Sequence, residues 1–594
     1  MTFTTRPELK GTYGMVASTH WIASAVGMRL LERGGNAFDA ATAMGFVLHI
    51  VEPHLNGPFG DMPALIRPAN ASEPTVVCGQ GTAPAGATIA HYKSEGLDLI
   101  PGSGLLATVI PGAFDAWMLI LRDHGQLSLR EVLEPAIHYA RAGHPILPRV
   151  AATIEGLTDF FHSEWPTSAA TWLPGGKAPA PNSLFCNPDL ADMWERLVKE
   201  AEEETARTAQ IDAARRIFSQ GFIAEAIDTY LRDACVMDAA GGRRRGVLTG
   251  QDMAGWKASY ETPLSTKTNG ATVWKAGAWS QGPSLLQSLN ILDGMDIDPA
   301  DTADFAHKLT ETIKLSMADR EAYYGDPAHH DLPIAHLLSK VYAETRRAQI
   351  DGTASMTLRP GAVPGYTAWA DAAVARSLKT NIPGPSMGAG EPTMAHLTEK
   401  RGDTVHIDVV DRWGNMISAT PSGGWLQSSP VIPGLGVPLN SRAQMFWLQE
   451  GLATSLAPGH RPRTTLSPSM AEFEDGTRMA FGTPGGDQQD QWQLIFLMRL
   501  LHQGLDLQAA IDAPLFHTAH LQASFYPRNL QAGHLTIEPS AGADAISALR
   551  AYGHNVEVSE PWAIGRLTAV SRTPSGLMRG AATPRLMQAY AIGR

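Results

Sequence analysis

One stretch of this chain admits few local structures. Residues 402–424 read Gly-Asp-Thr-Val-His-Ile-Asp-Val-Val-Asp-Arg-Trp-Gly-Asn-Met-Ile-Ser-Ala-Thr-Pro-Ser-Gly-Gly. Two strand-like runs, Val405–Val410 and Met416–Thr420, flank a turn centred on Trp413-Gly414. The first alternates Val405, Ile407 and Val409 with His406, Asp408 and Val410, the period-2 pattern of a half-buried strand. Arg412-Trp413-Gly414 closes a three-residue hairpin loop, with Gly414 supplying the positive φ that such loops need. With Asp411 opposite Asn415 and no bulge, the register carries outward and sets Thr404 opposite Ser422. Two hydroxyls then meet at the open end of the hairpin, one of them directly after Gly-Asp. That is the arrangement of a nucleophile and its support.

The rest of the chain bounds what such a pair serves. Its 594 residues allow several domains or one large layered one, and 44% hydrophobic with 18% charged residues is ordinary globular composition. A net charge of −12 argues against nucleic acid or an anionic membrane as the main partner. Three scattered cysteines, Cys78, Cys186 and Cys235, give no metal-ligand spacing and no disulfide framework. The N-terminus shows no apolar signal region and no run approaches the length of a membrane span. A cytoplasmic protein is expected.

Helical periodicity runs from His20 to Arg33, stopping at Gly34-Gly35, and Asn36 caps a second helix over Ala37–Val51. Short strands follow at Leu65-Ile66 and Val76-Val77, then helices over Leu127–Ala142, Ala306–Tyr324 and Asp487–Gln503, with residues 151–260 mostly helical. Residues 350–403 carry repeated Gly and Pro and read as a mobile segment. Helices, then strands, then closing helices predict a layered α/β protein with its sheets inside.

Three constellations carry chemistry. A Thr404 hydroxyl beside its own free α-amine needs no histidine, because that amine has a pKa of about 7.7–8.0 and accepts the proton. Freeing it requires cleavage between Asp403 and Thr404. Second, Phe481-Gly482-Thr483-Pro484-Gly485-Gly486-Asp487 places glycine N–H groups between a strand and a helix start, a geometry suited to an oxyanion. Third, Arg461-Pro462-Arg463-Thr464-Thr465 gathers hydroxyls after two arginines and suits a carboxylate or amide. His329-His330-Asp331 reads as a surface loop, Gly102-Ser103-Gly104 lacks a nucleophile-elbow context, and Arg243-Arg244-Arg245 reads as a solvated turn. No metal or cofactor is called for.

Taken together, these segments resemble the γ-glutamyltransferase family of N-terminal-nucleophile hydrolases over nearly the whole chain. Gly14-Met15-Val16-Ala17-Ser18, Glu32-Arg33-Gly34-Gly35-Asn36-Ala37, Ala318-Asp319-Arg320 and Gly325-Asp326-Pro327 carry the resemblance. So do Thr404–His406, Asp411 to Asn415, Leu466-Ser467-Pro468 and Pro484-Gly485-Gly486. It implies a four-layer αββα sandwich and a precursor that cuts itself into a large chain (1–403) and a small catalytic chain (404–594). These stay associated, with a homodimer of the cut pairs as a further expectation. Thr404 would attack an amide carbonyl, Ser422 would support it in place of the family's second Thr, and Gly485 and Gly486 would hold the oxyanion.

The departures bear on substrate. Gln80 stands where typical members place the Arg that clamps a glutamyl α-carboxylate, and Met445 where they place the Asp that holds its α-amine. Thr464 and Thr465 replace adjacent serines, Gly424 replaces an Asn, and Arg442 is a new positive charge. Losing two charge-assisted contacts removes about 3–6 kcal/mol, on the order of 10²–10⁴ in affinity. The expectation is an amidohydrolase or acyltransferase with altered acyl specificity, oxamate-like or acylase-like, with Arg442 meeting an acyl carboxylate. A true glutathione hydrolase or transpeptidase is the nearest alternative, and a non-catalytic amide- or carboxylate-binding homologue the remote one.

Overall fold

The structure, a computed structural model, describes residues 3–268, 270–381 and 404–594. The hairpin forms in the expected register: Ile407–Asp411 pairs antiparallel with Met416–Ala419, Ile407 opposite Ala419 and Val410 opposite Met416. Asp411 donates its N–H to the Asn415 carbonyl at 3.1 Å. Its Oδ1 accepts from the N–H groups of Trp413, Gly414 and Asn415, each at 3.0 Å. Gly414 takes φ 96°. The strands are not half-buried, however, for every residue of both is buried.

The reason lies in where the hairpin sits. Two seven-stranded sheets stack face to face. The sheet holding the hairpin runs Tyr590–Gly593, Gly14–Ser18, Ile407–Asp411, Met416–Ala419, Met62–Arg67, Thr75–Gly79, Ser259–Glu261. The other runs Leu9–Gly11, Met578–Ala582, Thr568–Arg572, Arg478–Gly482, Ser469–Phe473, Ala271–Lys275, Leu264–Thr268. Met15, Ala17, Leu65, Val410 and Met416 meet Trp274, Met470, Ala480 and Val570 between the sheets. Alternate residues point outward. Val16, Ile407, Val409 and Ile417 pack with Ile22, Val26, Met44 and Phe114 of helices Trp21–Glu32, Ala37–Val51 and Ala113–His124. Val273, Ala471, Met479 and Phe481 pack with Leu286, Leu309 and Phe496 of helices Pro283–Leu292, Thr302–Tyr323 and Gln489–Gln503. The result is an αββα sandwich in which each buried large side chain contributes about 1.5–3 kcal/mol.

Local chemistry sets the helix ends. Asn36 Oδ1 accepts from the N–H groups of Phe38 and Asp39, while Asp39 Oδ2 accepts from Asn36 N–H at 2.9 Å, a reciprocal capping box. Two expectations need correction. Within 350–403, a helix over Thr367–Thr380 shares an apolar cluster with Tyr323, Tyr324 and Leu358 through Ala373. Residues 382–403, Asp403 among them, lie outside the described residues. Arg243 and Arg244 are not merely solvated: they pair with Glu164 and Asp238, both at 2.7 Å. Among the described residues no helix is long and apolar enough to cross a membrane.

Candidate active site

Four neighbouring strands end in one row of polar side chains. Thr404 forms a bridge with Ser422 across the hairpin. Ser422 exchanges main-chain hydrogen bonds of 2.9 and 3.0 Å with Asp61. One strand further, Met62 opposes Gly79, so Gln80 lies beside Asp61. Thr404, Ser422, Asp61 and Gln80 share the parity of Val410, Met416, Leu65 and Cys78, which face the other sheet. The row therefore points into the gap between the sheets. Gly60 is required beside it, because a Cβ there would meet the Ser422 carbonyl oxygen at 1.9 Å.

The Thr404 hydroxyl donates to Ser422 Oγ at 3.2 Å, and Gln489 Nε2 reaches Thr404 Oγ1 at 3.5 Å. Gln489 is itself held by Ser467 N–H, which donates to its Oε1 at 3.0 Å. Thr404, Ser422 and Gln489 are all buried. Alongside, Arg442 Nε donates to Asp61 Oδ1 at 2.8 Å, and Thr464 Oγ1 donates to Asp61 Oδ2 at 3.4 Å. Burial pushes the Asp61 carboxyl upward, and the Arg442 guanidinium opposes the rise. Arg442 also lies 4.9 Å over the Trp425 ring. The new positive charge thus has a carboxylate partner within the chain, Asp61, next to Ser422 in the row.

Gly485 and Gly486 occupy the turn between the Arg478–Gly482 strand and the Gln489–Gln503 helix. Gly485 takes φ 137°, and a Cβ on it would lie 2.2 Å from the Trp492 ring, so only glycine fits. The turn is clamped from outside. Gln281 Nε2 donates to the Gly486 carbonyl at 3.2 Å, and Gln281 Oε1 accepts from Arg320 Nη1 at 2.8 Å. Arg320 also donates to Asp487, whose Oδ1 and Oδ2 accept from Ser524 Oγ and N–H at 2.6 and 2.9 Å.

Below Thr404 a second polar path joins the two sheets. His406 contacts Thr420 Oγ1 and Asp408 Oδ1, each at 2.9 Å, and Asp408 Oδ2 accepts from Thr568 Oγ1 of the facing sheet at 2.7 Å. The alternation His406-x-Asp408 carried that signal in sequence.

The sequence-selected residues thus converge unevenly. Thr404, Ser422, Arg442 and Thr464 form one connected group, to which Gln489 ties the turn of Gly485 and Gly486. Gln80 closes the row, with its Nε2 donating to the Gly81 carbonyl at 3.2 Å. Thr465 is buried next to Thr464, and Gly424 lies against the backbone of Gly57 and Gly60. Sequence reasoning missed Asp61 and Gln489. Asp61 enters only through the pairing of a distant strand, whereas Gln489, at the helix start after the two glycines, could have been found. His307, Glu311 and His554 bring ligand-type atoms within 4.8 Å of one another. Glu311, however, already pairs with Lys314 at 2.6 Å and Arg359 at 3.1 Å, so a dication there would face cations.

An αββα sandwich with a hydroxyl residue at the end of a central strand, facing the gap between its sheets, defines the class of N-terminal-nucleophile hydrolase folds. The chain belongs to the gamma-glutamyltranspeptidase family, whose model matches residues 23–593. It is 30% identical to the glutathione hydrolase-like YwrD proenzyme of Bacillus subtilis, covering 97% of both chains. It is also 30% identical to the oxamate amidohydrolase proenzyme of Klebsiella pneumoniae, again over 97% of each. Among solved structures it resembles LmbA2991 in a threonine-to-alanine form, with 51% identity over 100% of both chains and a TM-score of 0.94. The cephalosporin acylase of Bacillus halodurans has a TM-score of 0.82 at 26% identity, over 100% of this chain and 98% of that one. This is an enzyme of the hydrolase and acyltransferase type, made as a precursor that is cleaved into large and small subunits.

Proposed function

We propose that Thr404 is the nucleophile of an amidohydrolase that first cuts its own chain. The observation that carries this reading is the hydroxyl pair Thr404–Ser422 at the end of a buried hairpin, tied by Gln489 to the Gly485-Gly486 turn. In the precursor, Thr404 Oγ1 attacks the Asp403 carbonyl carbon. The C–N bond breaks, the Thr404 nitrogen takes up the hydroxyl proton, and an ester remains. Water hydrolyses that ester, leaving the Asp403 carboxylate and a free Thr404 amine and hydroxyl. In turnover the amine accepts the hydroxyl proton as Oγ1 adds to the substrate carbonyl. The Gly485 and Gly486 N–H groups receive the oxyanion. Collapse expels the leaving amine, which takes the proton back, and water or a second amine then takes the acyl group.

The acyl group is proposed to differ from γ-glutamyl. Gln80 and Met445 supply no charge, and Asp61 and Arg442 neutralise each other. Holding a zwitterionic glutamyl group through the latter two would first mean breaking a buried ion pair, which costs several kcal/mol. Oxamate-like and acylase-like amides are therefore favoured over glutathione; a cytoplasmic setting is part of the same proposal, supported by three scattered cysteines that form no disulfide framework.

Intact mass of the wild-type protein beside Thr404→Ala tests the nucleophile. Fragments 1–403 and 404–594 are expected from wild type, and one whole chain from the variant. A wild-type chain that stays uncut on long incubation would remove the free amine and the mechanism with it. Turnover of glutathione with release of glutamate, at a rate matching the best amide found, would overturn the proposed specificity.

A further inference from the structure

Thr404 Oγ1 is held by two neighbours that differ in kind. It donates its proton to Ser422 Oγ at 3.2 Å and accepts from Gln489 Nε2 at 3.5 Å. An acceptor such as Ser422 Oγ suits the neutral hydroxyl. A donor such as the Gln489 amide suits the same oxygen once its proton has gone. The two neighbours therefore serve different states of one atom.

The surroundings fix which end of the Gln489 amide faces Thr404. Ser467 N–H donates to Gln489 Oε1 at 3.0 Å, and a main-chain N–H can only donate, so the oxygen end is taken and the NH2 end is left for Thr404. Ser467 is itself locked at three points. Its carbonyl accepts from Lys275 Nζ at 3.0 Å and from Gln493 Nε2 at 2.9 Å, and its hydroxyl donates to Asp490 Oδ1 at 2.7 Å. Lys275, Ser467, Gln489 and Gln493 are all buried. The amide cannot turn over without leaving a main-chain N–H unpaired in the interior.

The backbone brings this donor to the right place. Gln488 N–H donates to the Gly485 carbonyl at 3.0 Å, closing the glycine turn, and Gln489 then opens the helix Gln489–Gln503. One turn thus carries the Gly485 and Gly486 N–H groups and, directly after them, the amide that reaches Oγ1. The helix N-terminus adds its positive end at the same place.

We propose that Gln489 is a catalytic residue, donating Nε2–H to Thr404 Oγ1 whenever that oxygen carries developing negative charge. This rests on Thr404 as the nucleophile and deepens that reading. In the attack, the hydroxyl proton passes to the α-amine while the bond from Oγ1 to the substrate carbon forms. In release of the acyl group, water adds to the ester carbonyl and gives its proton to the amine. The bond between carbon and Oγ1 then breaks, and Oγ1 leaves with the electron pair and takes that proton back. The same amide faces the charge in both steps. At 3.5 Å it does little for the neutral hydroxyl and tightens as charge gathers, so it raises kcat and leaves KM alone.

The test compares processed wild type with Gln489→Met and Gln489→Glu on one amide. Gln489→Met keeps the length and loses the donor, so kcat should fall by about 10- to 100-fold with KM within about threefold and the urea midpoint unchanged. Gln489→Glu separates donor from shape. Its ionised form turns an acceptor toward Oγ1, and its protonated form restores a donor. The ratio of its kcat to that of wild type should therefore climb about tenfold or more from about pH 8 to about pH 5. A carboxylate acting only through its charge on the amine would make that ratio fall in acid, and a purely structural role would leave it flat. Either result overturns the proposal, as does a Met variant within about threefold of wild type or a loss in both variants that tracks a fallen urea midpoint. If a variant fails to process, the rate of precursor cutting by intact mass carries the same comparison, because Oγ1 is the attacking atom there too. A wild type that is never cut removes the nucleophile and Gln489 together, whereas a wild type that is cut and matched by Gln489→Met removes Gln489 alone.

Discussion

Thr404 and Ser422 are eighteen positions apart and face each other only because the loop between their strands holds three residues and no bulge. That made them legible: register in a hairpin is arithmetic once the turn is known. Ser422→Ala removes the neutral hydrogen bond to Thr404, worth about 0.5–1.5 kcal/mol, so processing and turnover should slow, by about 10-fold for that bond. Ser422→Thr, which keeps the hydroxyl, should stay within about threefold of wild type, with the rate of fragment appearance as the readout for both. Asp61 was not legible, since nothing local ties it to Thr404, and so the carboxylate that pairs with Arg442 within the chain could not be read from sequence. Their pair leads to a second expectation. Arg442→Gln leaves a carboxylate buried and unpaired and should cost about 3–5 kcal/mol in denaturant unfolding. A loss below about 1 kcal/mol would mean that the pair contributes nothing.

Among the elements, the turn and the helix behind it position the rest of the site. Lys275, on the strand next to the edge strand Leu264–Thr268, and Asp490, in the first turn of the Gln489–Gln503 helix, pair at 2.9 Å with both side chains buried. Burial pulls the Lys275 ammonium down and pushes the Asp490 carboxyl up, and each opposes the shift in the other. Because Gln489 precedes Asp490, the pair also sets the group that touches Thr404. Lys275→Met alone should destabilise by about 3–5 kcal/mol and slow processing, whereas Lys275→Met with Asp490→Leu should regain most of the stability. Urea unfolding of the four forms reads the coupling, and additive losses would deny it. Helices with a cap and an apolar composition, such as Ala37–Val51, which is buried on every side, were read closely from sequence. The hairpin strands were placed correctly but their burial was not, because alternation alone cannot say whether the polar face meets water or a second sheet. Glycine and proline around Thr367–Thr380 hid a helix whose burial depends on residues far away in the chain.

At the scale of the molecule, strands from both sides of Thr404 interleave. Ile407–Asp411 and Met416–Ala419 sit between Gly14–Ser18 and Met62–Arg67 in one sheet, and Ser469–Phe473 pairs with Ala271–Lys275 in the other. Cut pieces cannot part without breaking main-chain ladders, so they should comigrate on sizing and separate only in denaturant. The same packing makes the whole acid-sensitive. His20, His49, His517, His520 and His554 are each held down to about 3, chiefly by burial. They stay neutral in the native state but become charged in the unfolded chain below about 6.5. The unfolded state then binds more protons, so stability falls as pH drops through 6.5, by about 1.4 kcal/mol per pH unit for each histidine fully engaged. Glu52 acts in the opposite sense: burial pushes its carboxyl up to about 7, so it takes up a proton in the native state first and adds stability as pH falls from 7 toward 4.5. His54 and His144 are held down as well, whereas Asp39, Asp61, Asp319 and Asp490 are pushed up by burial and act with Glu52. The histidines outnumber the raised carboxyls, so the net effect expected below pH 6.5 is a loss of stability that deepens as pH falls. His49 isolates the cause, because neither of its ring nitrogens has a hydrogen-bond partner among the described residues. His49→Leu should lower the acid midpoint, followed by tryptophan fluorescence, and remove about one proton from the slope; a midpoint that does not move would place the acid sensitivity elsewhere.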